Sequence, residues 1–183
     1  MRRTKWAAMA VAVIVLGAAG CGTSDAGTGV AAAPVPTSPR PQGTGPLTKE
    51  VVRTDLDTSA AAAGVPANAS EYARVPEDAS AGSPRSCVVG FKGFGTEATP
   101  VDVARYEAVV GELRKRDWQQ PRDRKERKGV DDGVIYEAQV VLKQRGWTMV
   151  AEYRTAPEDG VITLMAFEDV CMKKNGADAG PVG

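Results

Sequence analysis

The chain has 183 residues, with 23 Lys and Arg against 23 Asp and Glu, 3 Cys and no His. Without histidine it has no Ser-His-Asp or Cys-His activation, no His-ligated zinc and no His pH switch. A formal charge of zero argues against a strongly basic nucleic-acid binder, while 43% hydrophobic and 25% charged residues suit a chain that buries a core.

Arg2, Arg3 and Lys5 form a basic head before 14 uncharged residues, Trp6 to Ala19. A bilayer core of about 30 Å needs about 20 apolar residues. The run is too short to span it and reads as the centre of a signal peptide over residues 1–20. It ends in GAAGCG, with Ala18, Ala19 and Gly20 before Cys21. This resembles the lipobox of bacterial lipoproteins, with Ala18 where that family usually has Leu. The resemblance implies that a diacylglycerol is attached to Cys21 and the chain is cut just before it. The alternatives are ordinary signal cleavage, leaving Cys21 a free thiol, or a short uncleaved anchor. Losing the three basic residues of the head leaves 20 positive against 23 negative, a net charge of −3.

From Gly22 to Arg85, 41 of 64 residues are Ala, Gly, Pro, Ser or Thr. The stretch 21–46 has too few large apolar side chains to offset its chain entropy and is expected to be a disordered tether. As a coil it would reach about 25–30 Å from the anchor. Residues 47–172 are expected to form a single domain. Leu47, Val51, Val52, Leu56, Ala60 and Ala63 recur at helical spacing, with Thr48 as N-cap and Gly64-Pro66 as the stop. Residues 67–85 read as a loop.

The compact part is expected over 86–172. Ser86 to Phe91 is a β-prone run before a turn at Gly93-Phe94-Gly95. Thr99 and Pro100 look like a helix cap and first helical residue. Val103, Tyr106, Val110 and Leu113 supply a buried stripe reaching towards Trp118. Three strands follow, at 134–143, 147–155 and 161–170, joined by hairpin signals at Arg145-Gly146 and 157–160. The order α-β-α-β-β-β predicts an α+β fold, an antiparallel meander sheet with helices packed on one face. Residues 173–183 read as a flexible tail.

With Cys21 lipidated, Cys87 and Cys171 remain as an even pair in an exported chain, which predicts a structural disulfide. The other use of such a pair, redox or metal chemistry, lacks a CxxC spacing. No cofactor or metal-ligand set is expected.

Function is less legible. Eight cations lie between Arg114 and Lys128 against three carboxylates, in a chain of net negative mature charge. Arg122, Arg124, Lys125, Arg127 and Lys128 are the candidate contacts for an anionic lipid surface or cell-wall polyanion, each worth about 1 kcal/mol. The plainer reading is a solvated helix end and loop. Trp118 is either an interface anchor or helix-end packing. The face bearing Val134, Tyr136, Ala138, Val140 and Leu142, continued by Trp147, Met149, Ala151 and Tyr153, is expected to point to the core, leaving a polar face open. No GxSxG, SxxK, P-loop or HExxH motif occurs.

The stretches LTKEVVRTDLDTSAAAAGVP, SCVVGF, VARYEAVVGELRKRDW, LKQRGWTMVAEY and GVITLMAFEDVCM resemble the small lipoproteins of Streptomyces and related actinomycetes. That resemblance covers most of 47–172 and implies location and architecture, with no reaction or ligand attached. The expected role is a non-catalytic binding or assembly module, lipid-anchored on the outer face of the cytoplasmic membrane and holding an envelope protein or polymer. A small enzyme with a His-free site and an inhibitor module using the open sheet face are the alternatives.

Overall fold

The computed structural model describes residues 43–73, 82–155 and 159–176. The expected signal peptide, most of the tether and Cys21 lie outside the described residues.

Helix α1 (Lys49–Ala62) starts where Thr48 accepts a hydrogen bond from the Val51 amide at 3.4 Å. It ends in a double hydrogen bond typical of a Schellman motif. Gly64, at φ +70°, donates to Ala61 O at 3.0 Å, and Val65 donates to Ala60 O at 3.0 Å. Val52, Leu56 and Ala60 are fully buried. Helix α1 therefore belongs to the core, each large side chain adding about 1.5–3 kcal/mol relative to exposure. The supposed tether joins the domain before residue 47. Arg145 Nε donates to Gly45 O at 2.6 Å, and Trp147 Nε1 donates to Leu47 O at 2.9 Å.

The 67–85 stretch contains a short helix α2 (Ser70–Ala73) and the start of a 3-10 turn, Pro84–Cys87, that runs into the expected first strand. Strand β1 (Val88–Phe94) runs through the expected turn. Gly93 is a strand residue that carries no side chain because Val65 packs over it; a Cβ there would lie 2.6 Å from Val65 Cγ1. At the outer edge of β1, Asn68 Oδ1 accepts from Lys92 N at 2.9 Å and Ala69 N donates to Lys92 O at 2.9 Å. These bonds satisfy backbone groups that an edge strand would otherwise expose.

Helix α3 (Val103–Lys115) begins later than Thr99-Pro100 suggests. Asp102 is the cap, accepting from Arg105 N at 2.8 Å, whereas Thr96 and Thr99 pair across a tight turn. Tyr106, Val109, Val110 and Leu113 form its buried stripe. It closes with the α1 pattern: Asp117 N donates to Arg114 O at 3.0 Å and Trp118 N to Leu113 O at 3.2 Å. Here the left-handed residue is Asp117, at φ +66°.

Four strands follow: β2 (Lys125–Lys128), β3 (Ile135–Gln144), β4 (Trp147–Arg154) and β5 (Val161–Glu168). The sheet is antiparallel with order β1-β5-β4-β3-β2. Strands β2 to β5 form a meander; β1 pairs with β5 on its far side, and from β1 the chain crosses through α3 to β2 at the other edge. Arg145 and Gly146 both have positive φ, 39° and 82°, as a two-residue hairpin between right-twisted strands requires. The strand β2 was not anticipated, since an all-charged KERK segment has no strand pattern of its own.

Helices α1 and α3 pack on the face carrying Ala138, Val140, Leu142, Met149, Ala151, Ile162 and Leu164, all nearly inaccessible. The α+β fold, the antiparallel sheet and the Cys87–Cys171 disulfide are therefore as expected. Val134 and Tyr136 depart from the expected face assignment. They are 56% and 43% exposed; Val134 precedes β3 and Tyr136 lies near its start, before the buried run that begins at Ala138.

The last strand ends at Glu168, and Cys171 sits in helix α4 (Asp169–Lys174) rather than in β5. Lys173 and Lys174, assigned to a flexible tail, are helical. Asn175 Nδ2 then donates to Cys171 O at 2.9 Å. A second small cluster of Cys87, Val88 and Met172, flanked by Met165 and Phe167, surrounds the disulfide.

Candidate functional site

The cations singled out by sequence fall between the end of α3 and the edge strand β2. Folding supplies most of them with a carboxylate. Arg124 Nη1 meets Glu107 Oε1 of α3 at 2.7 Å and also pairs with Glu126. Lys128 Nζ lies 3.2 Å from Glu126 Oε2, and Arg127 Nη1 lies 3.8 Å from Glu137 Oε2 of β3. Upstream, Lys115 pairs with Glu112 at 2.6 Å and Arg116 approaches buried Asp55 at 3.7 Å. Among the described residues, the side chains of Arg122 and Lys125 form no ion pair, and both are exposed.

These contacts move the protonation equilibria in the expected directions. Hydrogen bonds from Arg124 and then Lys128 hold the Glu126 carboxyl below its ordinary value. The Glu107 hydrogen bond raises Arg124, keeping it charged.

Strand β2 is short, rich in Lys and Arg, and bulged between Arg127 and Lys128. Each feature discourages another chain from pairing with a free edge. Part of the basic composition thus has a structural use, blunting the edge of the sheet beyond β3.

Trp118 is 1% exposed, and its indole N–H donates to Asp55 Oδ2 at 3.0 Å. It is helix-end packing, not an interface anchor. Asp55 was missed as a core residue because a carboxylate on the apolar stripe of α1 is meaningful only beside an indole and guanidinium more than sixty positions away.

Between α3, β3 and the 120–124 loop lies a cavity of about 380 Å³. Tyr106, Val110 and Val140 line its floor, and Glu107, Arg114, Gln120 and Arg124 line its walls. Arg114 donates to Gln120 Oε1, and Gln120 Nε2 donates in turn to Arg122 O at 2.7 Å. The Tyr106 hydroxyl donates to Ala151 O at 3.2 Å, and burial raises its phenol above the ordinary value. Arg124 was legible as a candidate from sequence. Its neighbours Glu107, Arg114 and Gln120 were not, because a helix and a loop bring them together.

On the opposite sheet face, Val141, Val150 and Met165 form a half-buried cross-strand row. Glu137, Glu152 and Arg154 lie on the same face.

Among the described residues no helix is long and apolar enough to cross a membrane, and no cluster of Cys, Asp and Glu could hold a metal ion. No family model, curated protein or solved structure matches the chain.

Proposed function

We propose that this chain is an exported lipoprotein, anchored through a diacylglycerol on Cys21 to the outer face of the cytoplasmic membrane. Its domain acts there as a non-catalytic binding or assembly module. The Cys87–Cys171 disulfide carries the reading. Disulfides persist in oxidising compartments, so the pair supports export. It also leaves Cys21 as the third cysteine, at the end of the short apolar run and within GAAGCG. Two acyl chains on one residue are enough for stable anchoring, whereas one chain binds only marginally.

For an anionic envelope polymer, the contact surface would be the exposed cations of the basic segment. Arg122 and Lys125 are first in that surface, because Arg124, Arg127 and Lys128 already face Glu107, Glu126 and Glu137.

Fractionation tests the anchor. The parent chain should sediment with membranes and incorporate labelled palmitate, while Cys21→Ala should appear in the soluble exported fraction without label. Retention of Cys21→Ala on membranes would exclude the lipoprotein reading. Arg122→Glu combined with Lys125→Glu should abolish salt-sensitive binding to isolated cell walls and leave the unfolding midpoint unchanged. Undiminished wall binding would return the segment to an ordinary solvated edge.

A further inference from the structure

We propose that the end of the domain formed by α4 and the Arg145-Gly146 hairpin docks on an anionic lipid leaflet, with Val170 set among the headgroups and Lys173 and Lys174 on their phosphates. This deepens the anchored-module reading and rests on it for the nearness of a leaflet.

The path of the chain selects the end. Residues 45–47 are bound to the β3–β4 hairpin: Arg145 Nε donates to Gly45 O at 2.6 Å and Leu47 N donates to Arg145 O at 3.3 Å. Helix α4 starts at the same place, since Asp169 N donates to Gly146 O at 2.9 Å. The Cys87–Cys171 bond and the packing of α4 on the 3-10 turn fix it there. Gly45 is 24 positions after Cys21, and a coil of that length has an r.m.s. span of about 25–30 Å. The 10 residues of β3 place the β2–β3 hairpin roughly 30 Å further away. An acyl group on Cys21 therefore brings the α4 end to the lipid first.

Helix α4 presents the contact. Val170, Lys173 and Lys174 stand at i, i+3 and i+4 and so share one face. All three are exposed, Val170 by 55%, while Met172 on the other face is buried. A valine beside cations suits the boundary between headgroups and acyl chains, whereas a soluble polyanion makes no use of it.

The charge of the whole end agrees. The start of α1 brings Lys49 and Glu50, the 3-10 turn Arg85, and the hairpin Lys143 and Arg145. The last turn of α3 and its closure bring Glu112, Arg114, Lys115, Arg116 and Asp117, with Asp55 beside Arg116. The end of β5 and α4 add Glu168, Asp169, Lys173 and Lys174. These described residues are nine cations against six carboxylates. At the opposite end the described residues include four cations, Arg105, Arg127, Lys128 and Arg154. Six carboxylates outnumber them: Glu97, Asp102, Asp131, Asp132, Glu137 and Asp159. The domain is thus polarised along its strands, and an anionic leaflet attracts the end that the chain already turns towards it.

Lysine footprinting of the full chain tests this. The chain is acetylated with an N-hydroxysuccinimide ester on vesicles of phosphatidylcholine alone or mixed with equimolar phosphatidylglycerol, and the sites are read by mass spectrometry. The mixed vesicles should lower labelling of Lys173 and Lys174 about fivefold and leave Lys128, at the other end, unchanged. Phosphatidylcholine alone should protect neither. The protection should fade as salt shortens the Debye length from about 10 Å at 0.1 M to about 3 Å at 1 M. Val170→Asp puts a carboxylate on the contact face and keeps both lysines as reporters. It should lose the protection with an unchanged unfolding midpoint, since the side chain is exposed. Equal labelling with and without phosphatidylglycerol would overturn the proposal, as would matching protection of Lys128 or full protection in Val170→Asp. The comparison sets two lipids against one chain, so it does not require an acylated Cys21. A footprint on a chain without palmitate would refute the anchor and keep this contact, whereas palmitate without a footprint would do the reverse.

Discussion

Asp55 is 2% exposed on a helix face otherwise made of Val52, Leu56, Ser59 and Ala60. A carboxylate there is tolerable because Trp118 Nε1 donates to one oxygen at 3.0 Å and Arg116 Nη1 approaches the other at 3.7 Å. Removing it should cost more than the bonds it makes, because the indole N–H and the partly buried guanidinium would lose their acceptor. Asp55→Ala is expected to destabilise the domain by about 2–4 kcal/mol in urea unfolding. Asp55→Asn retains an acceptor for Trp118 and should cost about half as much. Equal losses for the two variants would mean that the indole bond contributes nothing and that charge alone matters. The same residue shows a limit of pattern reading. Periodicity marks Leu56 and Ala60 as core, but it scores Asp55 as surface, since its justification lies at positions 116 and 118.

At the scale of elements, one C-terminal motif closes both long helices and buries the residue after the left-handed position: Val65 after Gly64, and Trp118 after Asp117. The first closure is visible in sequence as Gly64 before Pro66. The second is hidden, because Asp is an unusual choice for φ +66° and nothing local announces it. Nothing lies within 4 Å of a Cβ built on Gly64, so substitution there tests backbone conformation alone. Gly64→Ala should cost about 1–2 kcal/mol, the left-handed penalty of an L-residue. A neutral result in thermal unfolding would mean that the helix end relaxes out of this motif.

Strand β2 belongs to this scale too. Four consecutive charged residues, Lys125 to Lys128, carry no alternation, and they become a strand because β3 presents an open edge to them. Glu126 then bridges Arg124 and Lys128. Its carboxyl is lowered from an ordinary value of 4.5, so the stabilisation it provides is present above pH 4.5 and is lost as pH falls through the lower folded value. Protection factors of the β2 amides, taken relative to intrinsic exchange at each pH, should therefore fall below pH 4.5 more in the parent than in Glu126→Gln. Identical pH profiles would show that the bridge does not hold the strand.

At the scale of the whole molecule, the disulfide joins the 3-10 turn just before β1 to α4, closing a sequence separation of 84 residues. The two strands that flank it, β1 and β5, are already paired from Val88–Phe167 to Phe94–Val161. The bond thus reinforces a contact that the sheet makes anyway, and its effect falls mainly on the unfolded chain. A loop of this size corresponds to about 4–5 kcal/mol in the entropic account. Cys87→Ser with Cys171→Ser should lower stability by up to that amount and release α4 first, read as early exchange of the Asp169–Lys174 amides. Two alkylatable thiols in the native exported protein would contradict the crosslink.

By itself the sequence determined the α+β class, the two long helices, three strands of the meander, the hairpin at Arg145-Gly146 and the pairing of Cys87 with Cys171. All but the disulfide rest on signals within a few residues, and the disulfide on the two cysteines that remain once Cys21 is set apart as the expected lipidation site. The tertiary structure alone decided that α1 packs on α3 and β1, that the basic segment becomes a blunt edge strand, and that Trp118 is buried on Asp55. It also decided that Arg114, Arg124 and Gln120 enclose a cavity over Val110 and Val140. The physical reason is the same throughout. Hydrophobic periodicity and turn chemistry act along the chain, whereas charge compensation and buried polar contacts join side chains that only the packed fold brings within reach.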